Sequence, residues 1–402
     1  MKKLVTLVTA VMLVAILASC GNTPKTPIAS DATVAPEATL TAKEQWVKDN
    51  QLGSYDTGTQ DWAAIEAAAK EEGELLVYAN SSKVEKAAEK FMELYPEIKV
   101  QAFDLGGDDV LNKVVEEQKA GAFTGDVWFS SGGANLVGQV MPNEYVWRFM
   151  PDSLVDKIPD EFTHPLVMTR LGTSVFAYNS ELNETCPIKN IWELTNPEWK
   201  GKFFIEDPLN DASTLSKLLT IVAHEDEMTK AYKDLYGTDP VLDDDTPTVG
   251  WLWLKRFAAN GPTPESGGDE VDAAYATPGM TESYMALGSY SNYPDVLDGN
   301  LAFEPCWGLE PIVGIQSQSY VGIINQAPHP NAAKLWIRFI LSEEGRDPWA
   351  KFGTYFTDST YVVPEGQKTL EEMMGMSWMI DEQFAYDNLV TGRDFYLINL
   401  GE

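Results

Sequence analysis

The sequence predicts an α/β fold built on doubly wound sheets, and two observations carry this prediction. Short apolar runs of strand length alternate with helices, and the alternation occurs on both sides of a strand predicted at Thr173–Asn179. Uninterrupted apolar runs are typical of parallel strands covered on both faces, and strand–helix alternation is typical of α/β domains. A chain of 402 residues is long enough for two or three domains. We therefore predict two α/β lobes with a hinge between them.

The first lobe is predicted over residues 61–178, beginning with a helix over Trp62–Lys70 that Gly73 ends. The strands predicted to follow are Leu75–Ala79, Ile98–Phe103 and Asp126–Ser130. The helices predicted between those strands cover residues 84–94 and 108–120. Apolar residues recur at helical spacing in the first of these helices, so Ser81 or Ser82 is a candidate for its N-cap.

The second lobe is predicted over residues 179–311, and residues 312–402 are predicted to return to the first lobe and add C-terminal helices. The remaining predicted strands are Ser174–Asn179, Phe203–Ile205, Met285–Tyr290 and Tyr320–Ile324. The remaining predicted helices are Leu215–Ala223, Trp251–Ala259, Pro330–Ile340 and a short helix that starts at Ser342. Ser213 or Thr214 lies near the start of the first of these helices, where a capping residue is expected.

The net charge limits the kinds of partner that the chain can have. With 29 Lys and Arg against 61 Asp and Glu, the formal net charge is −32. Binding to the phosphate backbone requires a basic surface, so this charge argues against nucleic acid as a partner. Binding to anionic lipid head groups by charge alone is disfavoured for the same reason.

The N-terminus has the pattern of an export signal with a lipidation site. Lys2 and Lys3 precede an almost wholly apolar run over Leu4–Leu17, which is too short to span a membrane. The run ends in Leu17-Ala18-Ser19-Cys20, which resembles the cleavage site of bacterial lipoproteins. We expect residues 1–19 to be removed and Cys20 to carry the lipid anchor. Residues 20–60 are then expected to be a flexible tether that holds an extracytoplasmic protein at the cell membrane.

The two cysteines that remain, Cys186 and Cys306, permit two interpretations. Export to an oxidising compartment allows them to form a disulfide. Alternatively they are separate thiols, with Cys306 buried beside Trp307. Neither CxxC pairs nor zinc-finger spacings occur, so a metal site is not indicated.

Motifs for catalysis are missing, and this favours a binding function. The sequence contains no GxSxG, zincin or P-loop motif and no dinucleotide fingerprint. The three histidines, His164, His224 and His329, are expected at surface or capping positions rather than as ligands. An exported hydrolase that uses two carboxylates stays open as an alternative, although the sequence selects no pair among its acids. A receptor that reuses the fold for signalling is a further alternative, and no cofactor is expected.

Several segments resemble the solute-binding proteins of bacterial ABC importers, in the group that binds ferric iron, thiamine, polyamines or phosphonates. The segments that carry the resemblance are Gly73–Tyr78, Gly125–Gly132, Leu194–Pro208, Ala327–Leu335 and Ser342–Gly345. Their order and spacing match over roughly residues 73–350. The resemblance implies a type II periplasmic-binding-protein fold, with two lobes joined by crossing strands and a solute held in the cleft. It also implies a monomer that delivers the solute to a membrane permease and its ATPase.

The loops that follow the strands are the candidate binding residues, because ligands of open α/β sheets sit beyond the carboxyl ends of strands and near helix N-termini. The candidates are Asn80, Ser81, Ser82, Ser130, Ser131, Gly132, Asp207, Asp211, Ser213, Ser289, Tyr290 and Tyr293. For Ser81 and Ser213 helix capping is an equal alternative, and for Tyr290 and Tyr293 core packing is.

The residue types favour a small polar organic solute or an oxyanion over ferric iron. Relatives that bind bare ferric iron tend to present two adjacent tyrosines, and often a histidine after the first strand. Here Tyr290 and Tyr293 are separated, and the loop after the first strand has no histidine. Iron binding through these two tyrosines stays an alternative, because phenolate and carboxylate oxygens suit a hard cation.

Overall fold

The computed structural model describes residues 40–401. The predicted signal peptide, Cys20 and the tether up to residue 39 lie outside the described residues. Twelve strands form one continuous sheet. The strands are β1 Glu74–Ala79, β2 Lys99–Asp104, β3 Val127–Ser130, β4 Val146–Trp147, β5 Val167–Asn179, β6 Phe203–Glu206, β7 Thr263–Glu265, β8 Met285–Ser289, β9 Phe303–Pro305, β10 Gly314–Ile324, β11 Thr354–Phe356 and β12 Ser377–Met379.

Helices connect and cover these strands. The helices are α1 Ala42–Asp49, α2 Trp62–Glu72, α3 Val84–Leu94, α4 Gly107–Ala120, α5 Gly133–Asn135, α6 Ala212–Ala223, α7 Glu225–Tyr236, α8 Val249–Ala259, α9 Gly268–Ala276, α10 Tyr293–Leu297, α11 Pro330–Ile340, α12 Glu343–Arg346, α13 Leu370–Met374 and α14 Glu382–Asn399. None of the helices among residues 40–401 is both long enough and apolar enough to cross a membrane.

The order of the strands brings the two predicted halves together through a pair of long crossing strands. The main path of the sheet runs β2-β1-β3-β10-β5-β8-β6-β7. Strand β1 is parallel to β2 and β3, as the strand–helix alternation predicts. Strand β10 is antiparallel to both β3 and β5, and its pairing with β5 runs from Gly314 and Val175 to Val321 and Val167. The crossing strands therefore form the floor between the two ends of the sheet.

Two hydrophobic cores lie on either side of this floor. The first contains Phe91, Val127 and Trp336 and is built mainly from α2, α3, α11 and the β1–β3 end of the sheet. The second contains Trp192 and Leu252 and is built mainly from α6, α8 and the neighbouring loops. We refer to the structure around the first core as lobe 1 and that around the second as lobe 2. The α/β architecture with two lobes is confirmed.

The part of the predicted tether that the structure describes is folded. Thr41 caps α1 with a reciprocal pair of hydrogen bonds to Glu44. Val47 and Leu52, which are 5% and 0% exposed, pack into the first core. The prediction of a flexible tether is therefore wrong for residues 41–60, because the apolar side chains in this segment are spaced to reach the core.

The C-terminal helix does not return to lobe 1 alone. Helix α14 packs against α6 and α8 of lobe 2, and it also contacts α5 of lobe 1. Ala385 and Tyr396 of this helix are buried in the second core. Residues 312–402 are predicted to return to lobe 1 and to add C-terminal helices, and the last of these helices, α14, contacts both lobes.

Cys186 and Cys306 form a disulfide across a sequence separation of 120 residues. The sequence left this bond and separate thiols open, and the structure shows the bond. It connects the loop that follows β5 to the segment that follows β9, and Cys306 is fully buried. The crosslink thus lies within lobe 2.

The predicted serine caps are replaced by other residues. Lys83 precedes α3 without a side-chain cap, and the Ser81 hydroxyl instead accepts a hydrogen bond from Trp349 Nε1 at 3.0 Å. Asp211 caps α6 by accepting a hydrogen bond from the Thr214 N–H. The prediction of Ser81, Ser82 or Ser213 as N-caps is therefore wrong, and the hydroxyl of Ser213 is not used for capping.

Candidate functional site

A cavity of about 210 Å³ opens where the carboxyl ends of β1 and β3 face the N-terminus of α6 across the crossing strand β10. The residues that line it include Asn80, Asp108, Trp128, Ser131, Gly132, Asn210, Asp211, Ser213, Ser317, Gln318 and Glu382. Three of them are acids, and no lysine, arginine or histidine among residues 40–401 lines the cavity. We call it the acidic cavity. Its walls come from both lobes and from α14, so it has the position of an interlobe ligand site.

The lobe 1 wall is held by a reciprocal pair of hydrogen bonds between Asn80 and Ser131. Asn80 Nδ2 donates to Ser131 Oγ at 2.6 Å, and the Ser131 N–H donates to Asn80 Oδ1 at 3.2 Å. These bonds connect the ends of β1 and β3. Gly132 follows with φ 94°, a left-handed conformation that glycine adopts without strain. The loop therefore turns sharply into α5 at the edge of the cavity.

The lobe 2 wall is shaped by Asp207, which does not line the cavity. Asp207 accepts hydrogen bonds from the Leu209 N–H at 3.0 Å and from Asn210 Nδ2 at 2.5 Å. The Asp211 N–H donates to the Asp207 carbonyl at 2.8 Å. These bonds fold the loop after β6 so that Asn210, Asp211 and Ser213 reach the cavity. Asp207 is thus a positioning residue rather than a contact residue.

Glu382, at the start of α14, is the acid in the cavity whose pKa is shifted most. Burial, together with the neighbouring charge of Asp381, raises the pKa of Glu382 to about 8, against hydrogen bonds from Tyr320 and the Ala134 N–H that lower it. A Cβ on Gly133 would overlap the Glu382 carboxyl. Glycine at this position therefore lets α14 approach lobe 1 closely.

Two polar atoms of the lining residues are buried without a hydrogen-bond partner among residues 40–401. They are the indole donor Trp128 Nε1 and the amide acceptor Gln318 Oε1. The Gln318 amide nitrogen is already used, since Nε2 donates to the Ile380 carbonyl at 3.0 Å. Buried polar groups are normally paired. Both atoms are shielded from solvent, although their side chains line the cavity.

The acidic cavity brings together five of the residues predicted from the sequence. These are Asn80, Ser131, Gly132, Asp211 and Ser213. Ser130 lies next to them but is 1% exposed, and its hydroxyl donates to the Ser131 carbonyl at 2.9 Å. Ser130 thus faces the interior and does not line the cavity.

Ser81, Ser82 and Ser289 lie outside the acidic cavity. Ser289 lines a separate cavity of about 140 Å³ together with Ser174, which pairs with it across β5 and β8. Ser82 is exposed at the start of α3. The loop after β1 therefore contributes Asn80 to the acidic cavity and turns Ser81 and Ser82 away from it.

Tyr290 and Tyr293 belong to an aromatic cluster away from the acidic cavity. Tyr290 is 2% exposed and packs edge-on against Trp307 and Phe352. The Tyr293 hydroxyl donates to Glu304 at 2.6 Å. Burial raises the pKa of both phenols, which disfavours the phenolate that binds ferric iron. No group of three or more His, Cys, Asp or Glu could hold a metal ion in the described part of the chain.

Sequence reasoning missed the other lining residues, among them Asp108, Trp128, Gln318 and Glu382. Asp108 could have been found, because it begins the helix that follows β2 and so lies at the same edge of the sheet as the other loops. No sequence pattern indicated Glu382 as a site residue, because its helix reaches the cavity only through the packing of α14 across the two lobes.

Two α/β lobes around crossing strands, with a polar cavity between them, define a protein that binds a small solute. The family model for bacterial extracellular solute-binding proteins matches residues 86–373. This chain belongs to that family, which supplies the extracytoplasmic solute-binding components of ABC importers. No curated protein matches the sequence.

Several solved structures have the same fold. Iron-bound HitA from Pseudomonas aeruginosa is 16% identical, with a TM-score of 0.61 over 80% of this chain and 99% of its own. The ferric binding protein from Campylobacter jejuni is 16% identical, with a TM-score of 0.60 over 81% and 99%. AfuA from Actinobacillus pleuropneumoniae, with fructose-6-phosphate bound, is 21% identical, with a TM-score of 0.58 over 82% and 98%. The family and these neighbours are binding proteins of the type II periplasmic class.

Proposed function

We propose that this protein is the lipid-anchored, monomeric receptor of an ABC importer and that the acidic cavity binds a hydroxyl-bearing polar organic solute. The observation that carries the proposal is the acidic cavity itself, with carboxylates from both lobes and the amide side chains of Asn80, Asn210 and Gln318 in its walls. Carboxylates and amide oxygens accept hydrogen bonds from hydroxyl groups. The proposal also entails that the protein turns over no substrate, because capture and delivery need only binding and closure of the lobes.

The solute is tested with a thermal-shift screen against neutral sugars and polyols, amino acids, sugar phosphates, inorganic phosphate and ferric citrate. We expect a solute with several hydroxyl groups to raise the melting temperature and to return unchanged from the mixture. Small-angle scattering with that solute should show a smaller radius of gyration, because the lobes close on it. A screen in which no solute stabilises the protein would contradict the proposed function.

The site is tested with Asp211→Asn, which keeps a capping side chain at the start of α6 but removes a charge from the cavity. We expect binding of the solute to weaken by roughly 10- to 100-fold, the range for a hydrogen bond to a charged group. The matched control is Asp61→Asn, since Asp61 caps α2 by the same bond to the Ala64 N–H. Equal loss in both variants would show that capping, rather than the cavity, is responsible.

Ferric-iron binding is the alternative function, because the structural neighbours include ferric-binding proteins. Ferric iron on Tyr290 or Tyr293 should produce a visible phenolate-to-iron charge-transfer band. We expect no such band, because both phenols lie in the aromatic cluster with raised pKa values. A band that appears with iron and is lost in Tyr290→Phe would replace the polar organic solute with ferric iron.

The anchor is tested separately with Cys20→Ser and cell fractionation. We expect the variant to leave the membrane fraction, because acyl chains on Cys20 would hold the mature protein at the membrane. A variant that stays in the membrane fraction like the wild type would overturn the lipid anchor without affecting the solute proposal.

A further inference from the structure

Arg170 on the crossing strand β5 is a cation without an anionic partner. Its guanidinium lies 5.1 Å from the Trp349 ring centre and 5.3 Å from that of Phe129. Within residues 40–401 it makes no salt bridge and no hydrogen bond. Burial alone lowers the pKa of Arg170 to about 10, and no neighbouring charge opposes this. Arg170 is half-buried, and arginines that are partly withdrawn from water are normally paired with a carboxylate.

Lys83 lies close enough to Arg170 and to Lys351 for their charges to interact. Burial lowers the pKa of Lys83, and the charges of Lys351, Arg170 and Lys86 lower it further. Neither Lys83 nor Lys351 has an acid within salt-bridge distance in the described part of the chain. We call Lys83, Arg170 and Lys351 the cationic cluster. Like charges repel, yet in this chain with a net charge of −32 these cations lie together where none of the described acids neutralises them.

The cluster lies at the amino end of α3, which adds backbone donors. Ser81 and Ser82 connect β1 to this helix, and their backbone N–H groups have no hydrogen-bond partner in the described structure. The carbonyls of both residues accept bonds from the Val84 and Glu85 N–H groups, at 3.0 and 3.4 Å. The unpartnered N–H groups of Ser81 and Ser82 belong to the loop before the N-cap Lys83, and they are backbone donors available to an anion. Trp349, whose ring centre lies 5.1 Å from the Arg170 guanidinium, donates a 3.0 Å hydrogen bond to the Ser81 hydroxyl.

The cationic cluster is adjacent to the acidic cavity. Arg170 pairs with Ser319 across β5 and β10, and Ser317 of the same strand lines the acidic cavity. Residues two apart on a strand share a face and are separated by about 7 Å. The loop after β1 also joins the two sites, since Asn80 lines the cavity and Ser81 lies at the cluster. One small molecule can therefore reach both sites.

We infer that the solute carries an anionic oxygen group, a phosphate or a carboxylate, and that the cationic cluster receives this group while the hydroxyl-bearing part occupies the acidic cavity. The inference rests on the proposed function and narrows its solute to an anionic organic molecule. Arg170 offers planar paired donors that suit phosphate and carboxylate oxygens, and the two lysines offer point charges. Closure of the lobes would withdraw these contacts from water and strengthen them.

The anionic group is tested first with inorganic phosphate and with acetate, by calorimetry at low ionic strength on the full mature chain. We expect phosphate or acetate to bind the wild type and to bind Arg170→Met roughly 10- to 100-fold more weakly. Arg170→Lys should restore part of the affinity, because it keeps the charge. The matched control is Arg393→Met, which removes an exposed cation on α14. A preference for phosphate over acetate, or the reverse, identifies the anion.

The second test uses the solute identified by the thermal-shift screen. An anionic solute whose affinity falls in Arg170→Met but not in Arg393→Met supports the inference. A solute that stabilises the protein and binds Arg170→Met as tightly as the wild type would overturn the inference and leave the proposed function intact. Failure of both anions to bind the wild type would also overturn it. Circular dichroism of each variant separates loss of folding from loss of binding.

Discussion

The acidic cavity and the cationic cluster are neighbours with opposite charge, although adjacent strands provide their floors. The cavity lies over β10 with Asp108, Asp211 and Glu382 in its walls. The cluster lies over β5, where Arg170 has no acid beside it. This difference shows that the net charge of −32 does not predict the local charge at each site in the cleft. Local charge is set by which loops the fold brings to each strand, so the two sites suit the two ends of one polar solute.

A comparison of two arginines should produce the largest effect. Arg346 donates to Asp358 at 2.7 Å, with side chains 8% and 9% exposed, whereas Arg170 has no acid partner. We expect Arg346→Met to lower the free energy of unfolding by about 3 kcal/mol, because it leaves the Asp358 carboxylate buried and unpaired. We expect Arg170→Met to leave it unchanged or to raise it. Urea unfolding of the two variants measures the contrast.

One result would contradict this expected difference between the two arginine variants. If Arg170→Met destabilised the protein as much as Arg346→Met, Arg170 would be a structural residue held by its contacts with Trp349 and Phe129. Asp358→Asn serves as a second probe of the Arg346 pair, and it should lose stability in the same direction.

The acidic cavity, unlike the cationic cluster, is expected to make the free energy of unfolding depend on pH. The pKa of Glu382 is raised from 4.5 to about 8 in the folded protein. The folded state therefore holds more protons, so the contribution to stability is fully present below about pH 4.5 and is lost as pH rises to about 8. The slope in between is at most about 1.4 kcal/mol per pH unit.

Urea unfolding at several pH values measures this slope, and Glu382→Gln should flatten it. The uncharged amide can keep the hydrogen bonds with Tyr320 and the Ala134 N–H. The matched control is Glu371→Gln, an exposed acid on α13. An unchanged slope in Glu382→Gln would assign the pH dependence to other acids.

The smallest expected effect concerns the unpaired atoms of the acidic cavity. Gln318→Met removes the unpaired Oε1 but also the bond from Nε2 to the Ile380 carbonyl. We expect a loss of about 1 kcal/mol in stability without solute, and weaker binding of a hydroxyl-bearing solute. Affinity for inorganic phosphate should be unchanged, because the cationic cluster lies over β5. An equal loss for both ligands would show that the two sites are not separate.

Much of the secondary structure could be predicted because it depends on local spacing. The helix predicted over 84–94 is found at Val84–Leu94, since Val84, Ala87 and Phe91 recur at helical spacing and are buried. The crossing strand β10 is longer than the predicted Tyr320–Ile324 and begins at Gly314. Its first half lacks a continuous apolar run, because Ser317 and Gln318 line the acidic cavity and Gln316 donates a hydrogen bond to Ser377.

The candidate site could be predicted only in part. The rule that ligands lie beyond the carboxyl ends of strands found Asn80, Ser131 and Asp211. The same rule also selected Tyr290, which the fold buries between Trp307 and Phe352. The rule identifies the edge of the sheet but not the direction in which a side chain leaves its loop, which depends on packing against distant segments.

The sequence by itself determined the α/β class, most helices and the solute-binding family. These features depend on the spacing of apolar residues and on short motifs, and both can be recognised from residues that are close together in the chain. The tertiary structure alone decided the Cys186–Cys306 bond, the position of Glu382 in the acidic cavity and the isolation of Arg170 from acids. These features join residues that are far apart in the chain. Their proximity follows from how the lobes and α14 pack, and local sequence patterns do not predict that packing.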